Sequence, residues 1–181
     1  SGSAAGRIVI RAGQFIMEAA RLEASTTTAS VTNPVPASTA EAISVQVDHA
    51  ALSQGAEIIT STVDGTAGNI ALEVGTLRSN VGLDGNALTG AAPVTIASTS
   101  TGLGGPGSIF IGRRGGTPAE TILLSNSHIV TQVSHTADPA SLPGNIELAA
   151  QHVELVNGTV LRADTTGGAD AGAITLNLDT L

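Results

Sequence analysis

Aliphatic and polar residues alternate with a period of two in short runs along most of the chain, and one run keeps returning. Its form is Gly-x-Ile-x-aliphatic: Gly6-Arg7-Ile8-Val9-Ile10, Gly68-Asn69-Ile70-Ala71-Leu72, Gly107-Ser108-Ile109-Phe110-Ile111, Gly144-Asn145-Ile146-Glu147-Leu148 and Gly172-Ala173-Ile174-Thr175-Leu176. A looser copy reads Ala40-Glu41-Ala42-Ile43-Ser44-Val45. Successive Ile residues stand 35, 27, 39, 37 and 28 positions apart, a variable period in the range of stacked repeats. Each interval holds two further alternations. The middle one is clearest at Ile122-Leu123-Leu124 and Val153-Glu154-Leu155. The closing one reads Leu22-Glu23-Ala24-Ser25-Thr26, Ile58-Ile59-Thr60-Ser61-Thr62, Ile96-Ala97-Ser98-Thr99-Ser100, Val130-Thr131-Gln132-Val133-Ser134 and Leu161-Arg162-Ala163-Asp164-Thr165. Alternation at period two is the signature of a half-buried strand. Residues 11–24 hold good helix formers, yet their place in the repeat predicts strand there too.

Three short strands per repeat, with Gly, Pro, Asn or Ser between them, predict an all-β fold. Its architecture would be a right-handed parallel β-helix of three sheets and about five coils, one domain over 1–181. Ile8, Ile43, Ile70, Ile109, Ile146 and Ile174 would stack in one buried column, and the aliphatic residue two places on would form a second. The glycine before each Ile suits a corner that needs positive φ or lacks room for Cβ. Insertions at about 28–40, 80–93, 112–120 and 135–143 are expected to loop out between coils.

Composition agrees with a narrow aliphatic core. The 181 residues include no Trp, Tyr or Lys, and the Phe residues are Phe15 and Phe110. Seven Arg against fifteen acidic residues give −8, which argues against nucleic acid as a partner. With zero Cys, disulfides and thiolate metal sites are excluded. No run of residues approaches the length of a membrane-spanning helix.

The sequence Gly144 to Gly172, GNIELAAQHVELVNGTVLRADTTGGADAG, carries a family likeness. Its order Gly-Asn-Ile-x-Leu, Val-x-Leu-x-Asn-Gly, Leu-x-Ala-x-Thr and a Gly/Ala-rich turn resembles the coils of filamentous-haemagglutinin-like exoproteins, and the likeness covers the chain with 76–106 the poorest match. The resemblance implies a structural and adhesive shaft of a secreted or surface-exposed bacterial protein, without enzymatic activity. It also implies an outer-membrane secretion partner (two-partner secretion) for the parent chain, and a host or neighbouring-cell glycan or protein as the parent's receptor. The family's secretion domain is not evident, and Asn33-Pro34-Val35-Pro36 is not its Asn-Pro-Asn-Leu signature. Repeat units at both ends lead to the expectation of a piece of a longer shaft, its ends meeting more chain or identical neighbours head to tail.

Gly102-Leu103-Gly104-Gly105-Pro106-Gly107 fits the dinucleotide pattern in letters, but Pro106 and the strand after it deny the helix that pattern needs. Gly167 to Gly172 is similar to a calcium-binding nonapeptide with its Asp170 displaced. His49, His128, His135 and His152 are expected on the surface or in turns, and Ser127-His128 and Ser134-His135 form no catalytic pair because adjacent residues point to opposite faces of a strand. Glu73, Glu147, Glu154 and Asp164 show no acidic ladder of a polysaccharide-cleaving groove. A carbohydrate-active or glycan-binding β-helix module stands as the alternative function. No catalytic, cofactor-binding or metal-ligating residue is expected, and no cofactor. The remaining candidate is the only basic pair, Arg113-Arg114, as a binding loop for an anionic glycan or a partner chain. Asn157-Gly158-Thr159 is a glycosylation sequon by letter and is expected to form a corner.

Overall fold

The computed structural model describes residues 6–26, 41–63, 65–82, 84–102, 104–115, 117–133, 143–166 and 170–178. Among them the chain is all-β. Its strands are β1 (Ile8–Glu18), β2 (Arg21–Thr26), β3 (Glu41–Ser53), β4 (Glu57–Thr62), β5 (Asn69–Ser79), β6 (Val94–Ser100), β7 (Ile109–Gly112), β8 (Ala119–Ser125), β9 (Ser127–Val133), β10 (Ile146–Val156), β11 (Val160–Thr165) and β12 (Ile174–Leu178). They form two sheets whose named strands all pair in parallel. One runs β1-β3-β5-β7-β10-β12, with β8 beside β5 and β10; the other runs β2-β4-β6-β9-β11. The chain passes from one sheet to the other and returns one rung further on each time, an arrangement consistent with a parallel β-helix or solenoid.

Two sheets carry what the alternation divides into three. The first and middle runs of a repeat continue as one strand, 11 residues in β1, β5 and β10 and 13 in β3. Only β7 and β8 keep them apart. The stretch that looked helical is extended on both sides of a corner at Ala19–Ala20, as β1 and β2, because its backbone pairs with β3 and β4. Tertiary hydrogen bonding overrides local propensity there.

The Ile column forms as expected. Ile8, Ile43, Ile70, Ile109, Ile146 and Ile174 are consecutive register partners, and so are Ile10, Val45, Leu72, Ile111, Leu148 and Leu176. Inner members of both columns are buried, whereas Ile174 and Leu176 on the edge strand β12 are 45% and 46% exposed. Each fully buried aliphatic side chain contributes on the order of 1.5–3 kcal/mol, so the centre of the stack is its most stable part. The looser copy at 40–43 is accommodated by a register shift between Glu41 and Ile43.

The second sheet corrects one alignment. Its core column is Leu22, Ile58, Ile96, Ile129 and Leu161, so the repeat starts on Ile129, not Val130. A slip of one residue reverses every side chain. Thr131 therefore points inward, and the outward column reads Glu23, Ile59, Ala97, Val130 and Arg162.

Buried hydroxyls explain why the glycine phrase and the Ala/Thr/Ser phrase travel together. Thr60 Oγ1 donates to the carbonyl of Gly68 at 2.7 Å, and Thr131 Oγ1 to that of Gly144 at 2.7 Å. Ser98 Oγ accepts the Gly107 N–H at 2.8 Å. The closing strand thus satisfies backbone groups that the corner buries. These glycines are required by crowding between rungs. A Cβ on Gly107 would lie 2.3 Å from the Gly68 oxygen, and one on Gly144 2.7 Å from the Gly107 oxygen. The next residue stitches rung to rung: Asn69 Oδ1 accepts the Ser108 N–H, Ser108 Oγ the Asn145 N–H, and Asn145 Oδ1 the Ala173 N–H.

At the opposite corner, Ala19, Gln54, Asn80, Asn126 and Asn157 all take left-handed conformations, with φ between 45° and 56°. Asn tolerates that region better than other side chains do. Asn80 is fully buried; its Oδ1 accepts the Gln54 N–H and its Nδ2 donates to the carbonyls of Ala92 and Asn126. Asn157 and Gly158 form a corner, as the sequence suggests.

Candidate functional site

The expected insertion at 112–120 is the only one of the four that shapes a site among the described residues. In β10, Ala149 pairs with Gly112 and Ala150 with Ala119. Residues 113–118 are therefore inserted where the neighbouring strand has a single peptide bond. Gly112 (φ 147°) and Gly115 (φ 69°) turn the loop out of the sheet. The loop itself is exposed, and its two arginine side chains reach toward β3 and β5.

Its two arginines are held by residues far away in sequence. Arg113 Nη2 donates to Asp48 Oδ1 at 3.0 Å. Arg114 Nη1 pairs with Glu41 Oε1 and lies 3.8 Å from Glu73 Oε1. The Arg114 guanidinium also covers the Phe110 ring, 4.4 Å from its centroid, a cation–π contact. A chain of polar contacts extends the cluster: Arg7 lies 3.8 Å from Glu41, Gln46 Nε2 donates to Glu73 Oε2 at 3.3 Å, and Arg11 Nε donates to Gln46 Oε1 at 2.7 Å. Gly75 makes room for this arrangement. A Cβ there would meet the Asp48 carbonyl oxygen at 2.7 Å and Arg113 Nη2 at 3.0 Å.

Together these groups line a cleft of about 330 Å³, at the lower end of the range for small-molecule sites. Ala12 gives it a small apolar edge beside Val47, whose side chain belongs to the core; Gln46, Asp48, Glu73, Arg113 and Arg114 give it a polar side. The charges that line it, Arg113 and Arg114 against Asp48 and Glu73, cancel. The site therefore offers hydrogen bonds of both polarities beside a small apolar surface.

The basic pair lies on the expected insertion and is held by carboxylates that the sequence does not point to. Glu41, Asp48 and Phe110 carry no local mark of a site. Glu73 alone of the acidic candidates belongs to it. Glu147 accepts from Asn177, Glu154 lies near His152 at the other end of the sheet, and Asp164 pairs with Arg162 on the second sheet.

The other candidates stand apart. Gly104 and Gly107 of the dinucleotide-like motif lie in a loop between β6 and β7, where a Cβ on Gly104 would meet the Gly65 oxygen at 2.1 Å. Rung stacking, not a phosphate, requires them. Ser127 is buried against Ser79 (2.6 Å between hydroxyls), while His128 faces outward beside Thr95. His49 Nδ1 lies 2.8 Å from Thr76 Oγ1. His128 and His152 belong to different sheets, and His135 lies outside the described residues, as do the insertion 28–40, positions 135–142 and Gly167 to Ala169. Among the described residues no three His, Asp or Glu side chains gather as metal ligands, and Asp170 is exposed. Comparison with family models, with curated proteins and with solved structures found no match.

Proposed function

We propose that this chain is a right-handed parallel β-helix of about five coils that serves as a structural and adhesive shaft segment of a secreted or surface-exposed bacterial exoprotein of the filamentous-haemagglutinin type. One observation supports the reading above others: the Ile column runs in register through six rungs, from Ile8 to Ile174, without interruption. A stack in which each repeat meets only its neighbours transmits length and stiffness, and it can be extended by repetition. Its conserved-looking phrases are then assembly instructions, each matched above to a packing or hydrogen-bonding need. On this reading an outer-membrane partner secretes the parent chain, and a host or neighbouring-cell glycan or protein is its receptor.

The test is small-angle scattering and light scattering of the purified chain, together with turnover on a polysaccharide panel. Elongated particles without turnover support a shaft; a compact monomer that cleaves a glycan overturns it. The Arg113–Arg114 cleft favours a second reading, a glycan-binding β-helix module, since it gathers hydrogen-bond donors and acceptors in one concave site. Retention on an array of neutral and acidic glycans would support that module, and a blank array would count against it.

A further inference from the structure

We propose that this chain binds a second copy of itself head to tail, with β1 and β2 of one copy pairing on β10 and β11 of the other in the place that β12 holds. The inference rests on the shaft reading above and names what meets the end of the stack. An edge, a fit and a set of charges lead to it.

The edge is the far side of the last complete coil. β12 pairs with residues 146–150 of β10, and among the described residues no strand pairs beyond 151–156 of β10 or beyond β11. Apolar side chains of the inner columns are half-exposed there, namely Leu155, Ile174 and Leu176. An open row of backbone groups beside apolar side chains is a template for another strand.

The first coil has the dimensions of that edge. Strands β1 and β10 both run 11 residues, and each is followed at once by a left-handed corner, at Ala19 and at Asn157. Continuing the columns by one spacing of about 4.8 Å sets Ile8 on Ile146, Ile10 on Leu148, Phe15 on Val153, Met17 on Leu155 and Leu22 on Leu161. β12 carries the same Gly-x-Ile phrase but holds its place with five pairs. The first coil of a neighbour offers eleven residues along β10 and six along β11. A neighbour cannot simply sit on top of β12, because its residues 13–18 would then hang one spacing above β10. Displacement of β12 removes that gap.

The charges agree with this register. Asn177 of β12 stands beside Ala149 and donates to Glu147; in the fit Arg11 stands beside Ala149, so a guanidinium replaces that amide. On the second sheet Glu23 comes opposite Arg162 and Ser25 opposite Asp164. At present Ser25 donates to Glu23 and Arg162 to Asp164, each within its own strand. Across the edge they exchange partners, Arg162 to Glu23 and Ser25 to Asp164. The Oδ1 atom of Asp164 is buried and has no hydrogen-bond partner among the described residues. Glu18 and Glu154 meet uncharged residues, Val156 and Ile16. The first coil holds Arg7, Arg11 and Arg21 against Glu18 and Glu23, and β10 with β11 hold Arg162 against Glu147, Glu154 and Asp164. A positive end therefore meets a negative one. The contact joins unlike surfaces and does not close on itself, so copies add into open chains.

Sedimentation velocity of the full chain over a concentration series tests this. Association should grow with concentration into open-ended oligomers. Glu23→Arg or Arg162→Glu alone sets like charges opposite each other and should weaken association about fivefold, the upper range of an exposed pair. The two substitutions together should restore it. Residues 23 and 162 lie on opposite edges of the second sheet in one chain, so only contact between copies produces that rescue. Ile174→Ser with Leu176→Ser loosens β12 and should strengthen association about tenfold. Weaker association in that variant would show copies stacking on β12 and overturn the proposal. Closed dimers, or association without rescue by the charge exchange, would overturn it as well. If the serine variant loses its strand signal in circular dichroism, the natural chain and its charge exchange decide alone. Monomers at every concentration, in the natural chain and in a folded serine variant, would overturn it, and elongated monomers would leave the shaft reading standing.

Discussion

Gly107 and Gly13 show how little a residue's type reveals about its burden. At Gly107 a Cβ would stand 2.3 Å from the Gly68 oxygen, a backbone atom that cannot step aside, whereas at Gly13 it would meet nothing within 4 Å. Gly107→Ala should lower unfolding free energy by about 3 kcal/mol or more in urea titration, because the rungs must separate. Gly13→Ala, in the extended strand β1, should be neutral or stabilising by about 0.5–1 kcal/mol. Ala19 offers the reverse test. It occupies the left-handed corner that Asn fills in three other repeats, so Ala19→Gly should raise stability by about 1 kcal/mol. A carboxylate supplies a pH test at this scale. The Ser25 hydroxyl, and then Arg21, hold the Glu23 carboxyl below the usual carboxylate range. A depressed folded value means stability present at neutral pH and lost as pH falls through that range. Ser25→Ala should therefore lower stability slightly at neutral pH, leave it unchanged at the acid end, and so flatten the acid limb of the stability–pH curve.

Between strands, the decisive contacts tie corners to the closing strand. Thr131 Oγ1 satisfies the Gly144 carbonyl in a site where water has no access. Thr131→Val keeps the shape and removes the donor, so a loss of about 1–3 kcal/mol is expected. Thr99→Val, one strand away and facing outward, should change stability by no more than about 0.5 kcal/mol in the same urea series. The 113–118 insertion makes the opposite prediction. Since Ala149 and Ala150 pair with Gly112 and Ala119, deleting 113–118 should join β7 and β8 into one strand. Only exposed ion pairs and one ring contact are lost, so thermal unfolding should shift by no more than the equivalent of about 1–2 kcal/mol. A collapse of the strand signal in circular dichroism would mean that the loop holds the sheet together.

Over the whole molecule, stability should be graded along the stack. Ile70, Leu72, Ile109 and Ile111 are buried in central rungs, whereas Ile174 and Leu176 are half-exposed on β12. In a solenoid each rung draws its stability from its neighbours. Hydrogen exchange should therefore be slowest in β5, β7 and β9 and fastest in β12 and β1. Uniform protection along the stack would show that the molecule unfolds as one unit.

Much of this was legible because a repeat repeats its physics. Alternation at period two gave strands, recurrence of Gly-x-Ile gave the rungs, and both aliphatic columns follow from counting two residues on. Even the extended state of 11–24 could be read from its place in the repeat. The one-residue error at Val130 arose because Ile129-Val130 offers two adjacent aliphatics, and alternation alone cannot choose between them; pairing with Ile96 and Leu161 does. The hydroxyl-to-glycine bonds and the Asn corner were hidden for a related reason, since each joins segments whose separation in space is set by winding. The site divides in the same way. Arg113-Arg114 stood out as a basic pair on an insertion, which composition reveals. That they settle on Glu41, Asp48 and Glu73 was decided by the tertiary structure, because stacking puts residues from two other repeats on one face within the reach of two guanidinium groups.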